Sequence, residues 1–175
     1  MLNGILVTGT KNEGSNYGQP VINFINEKVL RMDSQAGEGG EWIGNIAQRN
    51  EALGYKSVDY DYVIRASYVF DIAMTVLPNA RIDETTGLPI PTIAVATNGG
   101  VSVIRDDGTV IDHYDSAGSA STQITFTQDG KIAFSHEGHT GIRIDSLKSA
   151  DFNYGSNKVA KHNSEEFYIN YGLIS

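Results

Sequence analysis

Thr92-Ile93-Ala94-Val95-Ala96-Thr97-Asn98-Gly99-Gly100-Val101-Ser102-Val103-Ile104-Arg105-Asp106-Asp107-Gly108-Thr109-Val110-Ile111-Asp112-His113-Tyr114 is the stretch whose reading decides the fold class. Its first six residues form a near-continuous apolar run rich in β-branched side chains, the pattern of a strand covered on both faces. Asn98-Gly99-Gly100 then offers the residues that accept positive φ, so a tight hairpin with a primed turn is expected there. Val101 to Arg105 returns as the partner strand. Asp106-Asp107-Gly108 is a second turn, because Asp tolerates the left-handed region and Gly completes it. Thr109 to Tyr114 is a third strand. Strand, turn, strand, turn, strand is an antiparallel meander.

Downstream the plan repeats. Gln123-Ile124-Thr125-Phe126-Thr127 alternates, Gln128-Asp129-Gly130 turns, and Lys131-Ile132-Ala133-Phe134-Ser135-His136 returns. Glu137-Gly138-His139-Thr140 turns again and Gly141 to Asp145 completes the unit. Ile93-Ala94-Val95 aligns with Ile132-Ala133-Phe134, and Val101-Ser102-Val103 with Ile142-Arg143-Ile144, an offset of roughly 40 residues that matches the blade period of propeller repeats. Upstream, Val58 to Arg65 and Ser67 to Phe70 are rich in β-branched and aromatic residues. Asp71 to Leu77 reads as a strand ended by Pro78, and a loop with the turn-like Glu84-Thr85-Thr86-Gly87 leads into Thr92.

Residues 1–56 are less regular. Gly4 to Thr10 is a short strand candidate, Lys11 to Gln19 a polar loop, and Val21 to Met32 strand or short helix. Asp33 to Gly40 is a loop by composition, and Trp42 to Leu53 has a weak helical spacing. The expected organisation is a mainly β chain. A mixed or sandwich-like region (1–56) precedes two blade-like meander units (57–150) and a C-terminal extension (151–175) in which Phe167 to Tyr171 is the start of a further strand.

Composition narrows the function classes. The 175 residues are 40% hydrophobic and 19% charged, a globular balance, and 19 Gly against 4 Pro suit a chain of many short strands. A formal net charge of -8 opposes a nucleic-acid partner, whose phosphates need a basic face. There is no Cys, which removes disulfides, thiolate nucleophiles and Cys-bound metals. The first residues lack the basic region and apolar core of a signal peptide, and no run is long and apolar enough to insert in a membrane.

Each candidate chemical motif has a simpler reading. His136-Glu137-Gly138-His139 invites a metal, but the spacing is i, i+3 rather than the helical i, i+4, and Gly138 marks a turn. Asp59, Asp61, Asp106, Asp107 and Asp112 could suggest calcium, yet no segment supplies the ligand offsets of a calcium loop. Asn98-Gly99-Gly100 lacks the helix, Lys and Ser/Thr of a phosphate loop. Glu165-Glu166 would face opposite sides of a strand, which disfavours joint acid-base work. Tyr17, Trp42, Tyr55, Tyr60, Tyr62, Tyr68, Tyr154, Tyr168 and Tyr171 could stack on sugars, but aromatics are also ordinary strand residues. No catalytic, cofactor-binding or metal-ligating residue is therefore expected.

Gln123 to Ser146 resembles the strand–Asp-Gly–strand–turn–strand plan of WD-type propeller blades, without their Trp-Asp signature. The stretch from Asp71-Ile72-Ala73-Met74 to Thr109-Val110-Ile111-Asp112 is similar to segments of tail-fibre-like and structural proteins of marine bacteriophages. The resemblance covers about residues 58–150. It implies a non-catalytic structural or receptor-binding component of a phage tail, located in the virion. The partners it implies are other copies of the chain, other virion proteins and a host surface glycan, with no cofactor. The alternatives are a lectin-like propeller module and, last, a fragment of a propeller enzyme. Because blades bury their faces only against neighbours, a lone copy is expected to expose Ile93-Ala94-Val95 and Ile132-Ala133-Phe134 and hence to associate.

Overall fold

The computed structural model describes residues 1–9, 19–32, 39–42, 44, 47–48, 55–57, 63–137 and 142–154. These are mainly β, arranged in three sheets, and no helix among them is long and apolar enough to cross a membrane. The first sheet is an antiparallel meander of β1 (Ile5–Val7), β2 (Gln19–Asn23), β3 (Lys28–Met32), β4 (Gly40–Trp42) and β5 (Tyr55–Ser57). The central sheet holds the meander β6 (Val69–Thr75), β7 (Thr92–Thr97), β8 (Gly100–Ile104) and β9 (Val110–Tyr114). The third is β10 (Ile124–Phe126), β11 (Ile132–Ser135) and β12 (Ile142–Asp145). β13 (Phe152–Asn153) then returns to the central sheet and pairs in parallel with β9.

Strand alternation explains the stacking. In β7, Ile93 and Val95 point to one face and Ala94 and Ala96 to the other. Register places Ile104 beside Ile93, and Val103 and Val101 beside Ala94 and Ala96. The Ile93 face packs on Val7, Val21, Leu30 and Met32 of the first sheet. The Ala94 face packs on Ile124, Ile132 and Phe134 of the third. Every residue of β7 and β8 is buried. Burying each Val or Ile side chain contributes about 1.5–3 kcal/mol, so this double cover is the main store of stability.

Several expectations need correction. Ile93, Ala94 and Val95, with Ile132 and Phe134, are not exposed in a single copy, because the sheets before and after cover them within the chain. Of the two readings left open for residues 28–32 the strand holds, within an antiparallel sheet, since Leu30 and Met32 feed the core beside Val21. Of the helical spacing from Trp42 to Leu53, Trp42 belongs to β4 and only Ala47 and Gln48 are helical among the described residues. β6 ends at Thr75, ahead of Pro78. All of Val58 to Tyr62 and all of Phe167 to Tyr171 lie outside the described residues. The sheets stack face to face, as meander units do, but the described residues form no closed propeller or barrel.

The expected turns at Asn98-Gly99, Asp106-Asp107-Gly108 and Asp129-Gly130 are present, with one change of conformation, while residues 138–140 of the turn expected after His136 lie outside the described residues. Arg105 to Thr109 and Thr127 to Lys131 close alike. Arg105 N–H donates to Thr109 C=O and Thr127 N–H to Lys131 C=O, both at 2.9 Å, with Gly108 (φ 87°) and Gly130 (φ 77°) at equivalent places. Between β7 and β8, however, neither Asn98 nor Gly99 takes positive φ, so the turn is not primed. The Thr97 hydroxyl, accepting from Gly99 N–H and donating to Gly100 C=O, shapes the turn instead. The positive φ (128°) falls on Gly100, where an added Cβ would sit 2.5 Å from the His113 carbonyl oxygen.

Gly100→Ala should therefore cost more than about 2 kcal/mol, combining forbidden φ with a backbone clash. Gly87→Ala, at φ 68° with open space around it, should cost about 1 kcal/mol. Urea unfolding of the two variants checks the ranking, and equal losses would contradict the close approach at Gly100.

Candidate functional site

β9 carries two polar side chains in succession, and alternation sends them into opposite interlayer spaces. Asp112 lies opposite Ser102 and so shares the face that meets the first sheet, while His113 lies opposite Val101 and faces the third. Both strands sit in a doubly covered sheet, so each polar group must find partners inside.

His113 is 1% exposed. Its Nδ1 lies 3.0 Å from the Tyr154 hydroxyl, which donates to Asp145 Oδ2 at 2.6 Å. The phenol has one proton and gives it to the carboxylate, so its oxygen accepts from His113 Nδ1–H. That fixes the tautomer: Nε2 carries a lone pair and has no hydrogen-bond partner among the described residues. Asp145 also accepts from Arg143 Nε at 2.9 Å, and the Arg143 guanidinium stacks 3.5 Å above the Tyr154 ring. Burial, against the weaker pull of Asp145, lowers the His113 pKa to about 4, so the imidazole is neutral. Burial and the Asp145 hydrogen bond raise the Tyr154 pKa, keeping the phenol protonated.

A carboxylate–phenol–imidazole chain is the material of a proton relay. Here its terminus is shut among the core side chains of two sheets. What the chain visibly does is tie three elements together: β9 through His113, β12 through Asp145 and Arg143, and the end of β13 through Tyr154, whose N–H also donates to Tyr114 C=O at 2.7 Å. Arg105 of the β8–β9 turn donates to the Lys148 carbonyl and holds the segment between β12 and β13.

On the opposite face, Ser102 Oγ accepts from Arg65 N–H and donates to Asp112 Oδ1, each at 2.7 Å. The Arg65 guanidinium lies 3.9 Å over the Tyr114 ring. Burial, opposed by the Ser102 hydrogen bond and assisted by the Asp151 charge, raises the Asp112 pKa to about 6. Near the edge, His136 Nε2 is 3.4 Å from Asp115 Oδ2. Burial pushes the Asp115 carboxyl up, but the Ser119 hydroxyl and N–H, with His136, outweigh it and hold it below the usual range.

The residues singled out from sequence are dispersed. His136 is engaged with Asp115, whereas His139 and Gly138 lie outside the described residues, as do Asp59, Asp61, Glu165 and Glu166. Asp106 accepts from Arg81 N–H and so ties the β6–β7 loop to this turn, while Asp107 accepts from Thr109 within the turn. Among the described residues no three His, Asp or Glu side chains gather as a metal-binding group. Of the aromatics, Tyr154 is inside the network just described, Trp42 is in β4, Tyr55 in β5, and Tyr68 lends its carbonyl to Asn98 N–H. Tyr17, Tyr60, Tyr62, Tyr168 and Tyr171 lie outside the described residues. Sequence reasoning missed His113, Tyr154 and Asp145 as a set. The available signal was β9 itself, where consecutive polar residues in a doubly covered sheet demand buried partners.

No family model matches the chain, and no curated protein or solved structure is significantly similar to it.

Tyr154→Phe should lower stability by about 1–3 kcal/mol, since it strands a buried imidazole N–H and one carboxylate contact while keeping the ring. Equilibrium urea unfolding measures it, and an unchanged midpoint would show that the hydroxyl holds nothing together. The pH dependence follows from the two shifts. The depressed His113 pKa gives stability that is present above 6.5 and is lost as pH falls toward about 4. The raised Asp112 pKa acts oppositely: its stability is present below 3.8 and is lost as pH rises through about 6. Asp112→Asn keeps an oxygen for Ser102 and removes the charge, so it should raise the melting temperature at pH 8 and steepen the acid-side loss. Thermal melts from pH 4 to 8 test both signs.

Proposed function

We propose that this chain is a non-catalytic structural or receptor-binding component of a phage particle, associated with the tail. The observation that supports the reading best is the use made of its polar chemistry. His113, Tyr154, Asp145, Ser102, Asp112, His136 and Asp115 are spent on joining strands and sheets, and both imidazoles, His113 and His136, are buried. Stacked antiparallel meanders give a rigid scaffold with loops at its ends, the architecture expected of a virion part that presents surfaces rather than a reaction centre. Blade-like units fit the same scheme, with each meander burying a face against its neighbour.

Particles purified on a density gradient from a culture carrying the gene should yield peptides of this chain in proportion to tail proteins. Their absence from intact particles, with the protein present in the lysate, would refute the assignment. Binding of the purified chain to defined sugars on a glycan array, without incorporation into particles, would favour the lectin-like reading instead.

A further inference from the structure

The central and third sheets leave their edges in different states. The Ile124 N–H of β10 is capped by Asp71 Oδ2 at 2.9 Å, which closes that edge of the third sheet. At the edge strand β6 the ladder is broken by a register shift between Val69 and Asp71, a bulge of the kind that discourages further pairing. β9 is sealed by β13. β12 has none of these devices. It is the outer strand of its sheet, and no described strand pairs beyond it. Its sequence Ile142-Arg143-Ile144-Asp145 contains no Pro or Lys, and Ile142 and Ile144 are 54% and 38% exposed.

Register decides what such an edge can accept. Ser135 N–H donates to Gln123 C=O, so by alternation Ile132 and Phe134 bond toward β12, and their partners Asp145 and Arg143 bond inward. The N–H and C=O of Ile144 consequently point outward. Arg143 and Asp145 share the inner face beside Tyr154, while Ile142 and Ile144 share the outer face with Ala133.

The geometry points to a two-fold antiparallel pairing of β12 with β12 of a second copy, centred on Ile144. In that register each Ile144 exchanges both backbone hydrogen bonds with its counterpart. Arg143 of each copy lies opposite Asp145 of the other, and Ile142 lies opposite Ser146. Opposite charges meet at two places and apolar side chains meet at the axis, which is the self-complementarity an isologous interface requires. A two-residue slip would instead oppose Arg143 to Arg143, so charge selects the register. The inference deepens the structural reading above by naming the surface through which copies join.

The chain contains no Cys, so a single introduced one reports the contact directly. Ile144→Cys under mild oxidation should give a disulfide dimer, because directly opposed residues in a hydrogen-bonded pair lie about 5.5 Å apart at Cα, within disulfide reach. Ile82→Cys, also exposed, should cross-link at least tenfold more slowly. Sedimentation equilibrium of the wild type should show a mass twice 19.0 kDa, and Ile144→Asp should reduce it to the monomer with an unchanged circular dichroism spectrum. A wild-type monomer at all concentrations, cross-linking of Ile144→Cys no faster than the control, or an assembly indifferent to Ile144→Asp would each overturn the proposal. Should Ile144→Asp fail to fold, the cysteine pair decides alone. Absence of the chain from particles would remove the phage reading and leave this interface untouched.

Discussion

The constraint on which everything else depends is that β7 and β8 have no face left for water. A sheet covered on both sides cannot alternate apolar with polar residues, so Thr92 to Thr97 and Gly100 to Ile104 carry small or branched side chains throughout. The residues differ in size between the two faces. Ile93, Val95 and Ile104 fill the space toward the first sheet, while Ala94 and Ala96 leave room for Phe134 on the other side. Enlarging either alanine would press on a ring that has no free volume to enter. The close approach at Gly100 belongs to the same economy of space, because the chain must turn where β9 already runs alongside.

Double cover also dictates how polar groups are treated. A strand next to a fully buried pair inherits little solvent, and β9 brings Asp112 and His113 into that setting. Each is answered from a different part of the chain, Asp112 by Ser102 and the segment around Arg65, His113 by Tyr154 and Asp145. The His113–Tyr154–Asp145 tie joins the central sheet to the third, and Ser102–Asp112 fixes the Arg65 segment to the central sheet, whereas apolar packing alone would tolerate sliding. Such groups are costly to leave unpaired and modest in net worth when paired, so their main contribution is to make one arrangement preferable to its neighbours.

How much of this was legible in the amino-acid order can be traced to particular residues. The apolar run at Thr92, the Asp-Gly turns at Gly108 and Gly130, and the alternation of Ile124 to Phe134 are local signals, and they located the meanders correctly. The first sheet was obscure because its strands are three to five residues long and include Lys28, Arg31 and Glu41, which dilute the period-two pattern. Burial of Ile93 within one copy was missed for the same reason, its cover coming from that unread sheet, while Phe134 is covered by the β7–β8 face, a packing of one meander on the next that local patterns do not reveal. The tie between His113, Asp145 and Tyr154 was hidden because its members are far apart in sequence and meet only once β13 has turned back. The turn at Asn98 was placed correctly and given the wrong conformation, since the Thr97 hydroxyl supplies a local alternative that a dipeptide rule does not consider.

β13 has a consequence for the order in which the molecule assembles. Hairpins such as β7–β8 and β10–β11 join residues close in sequence and can form within microseconds of their synthesis. The parallel pairing of Phe152 with His113 instead closes a long loop, which must hold the whole third sheet before it yields a single hydrogen bond. While the chain is being made, β9 is therefore a bare edge until residues 152–154 have left the ribosome. The interval in which neighbouring nascent chains can pair wrongly is set by this one short strand, and its closure is the natural late step of folding.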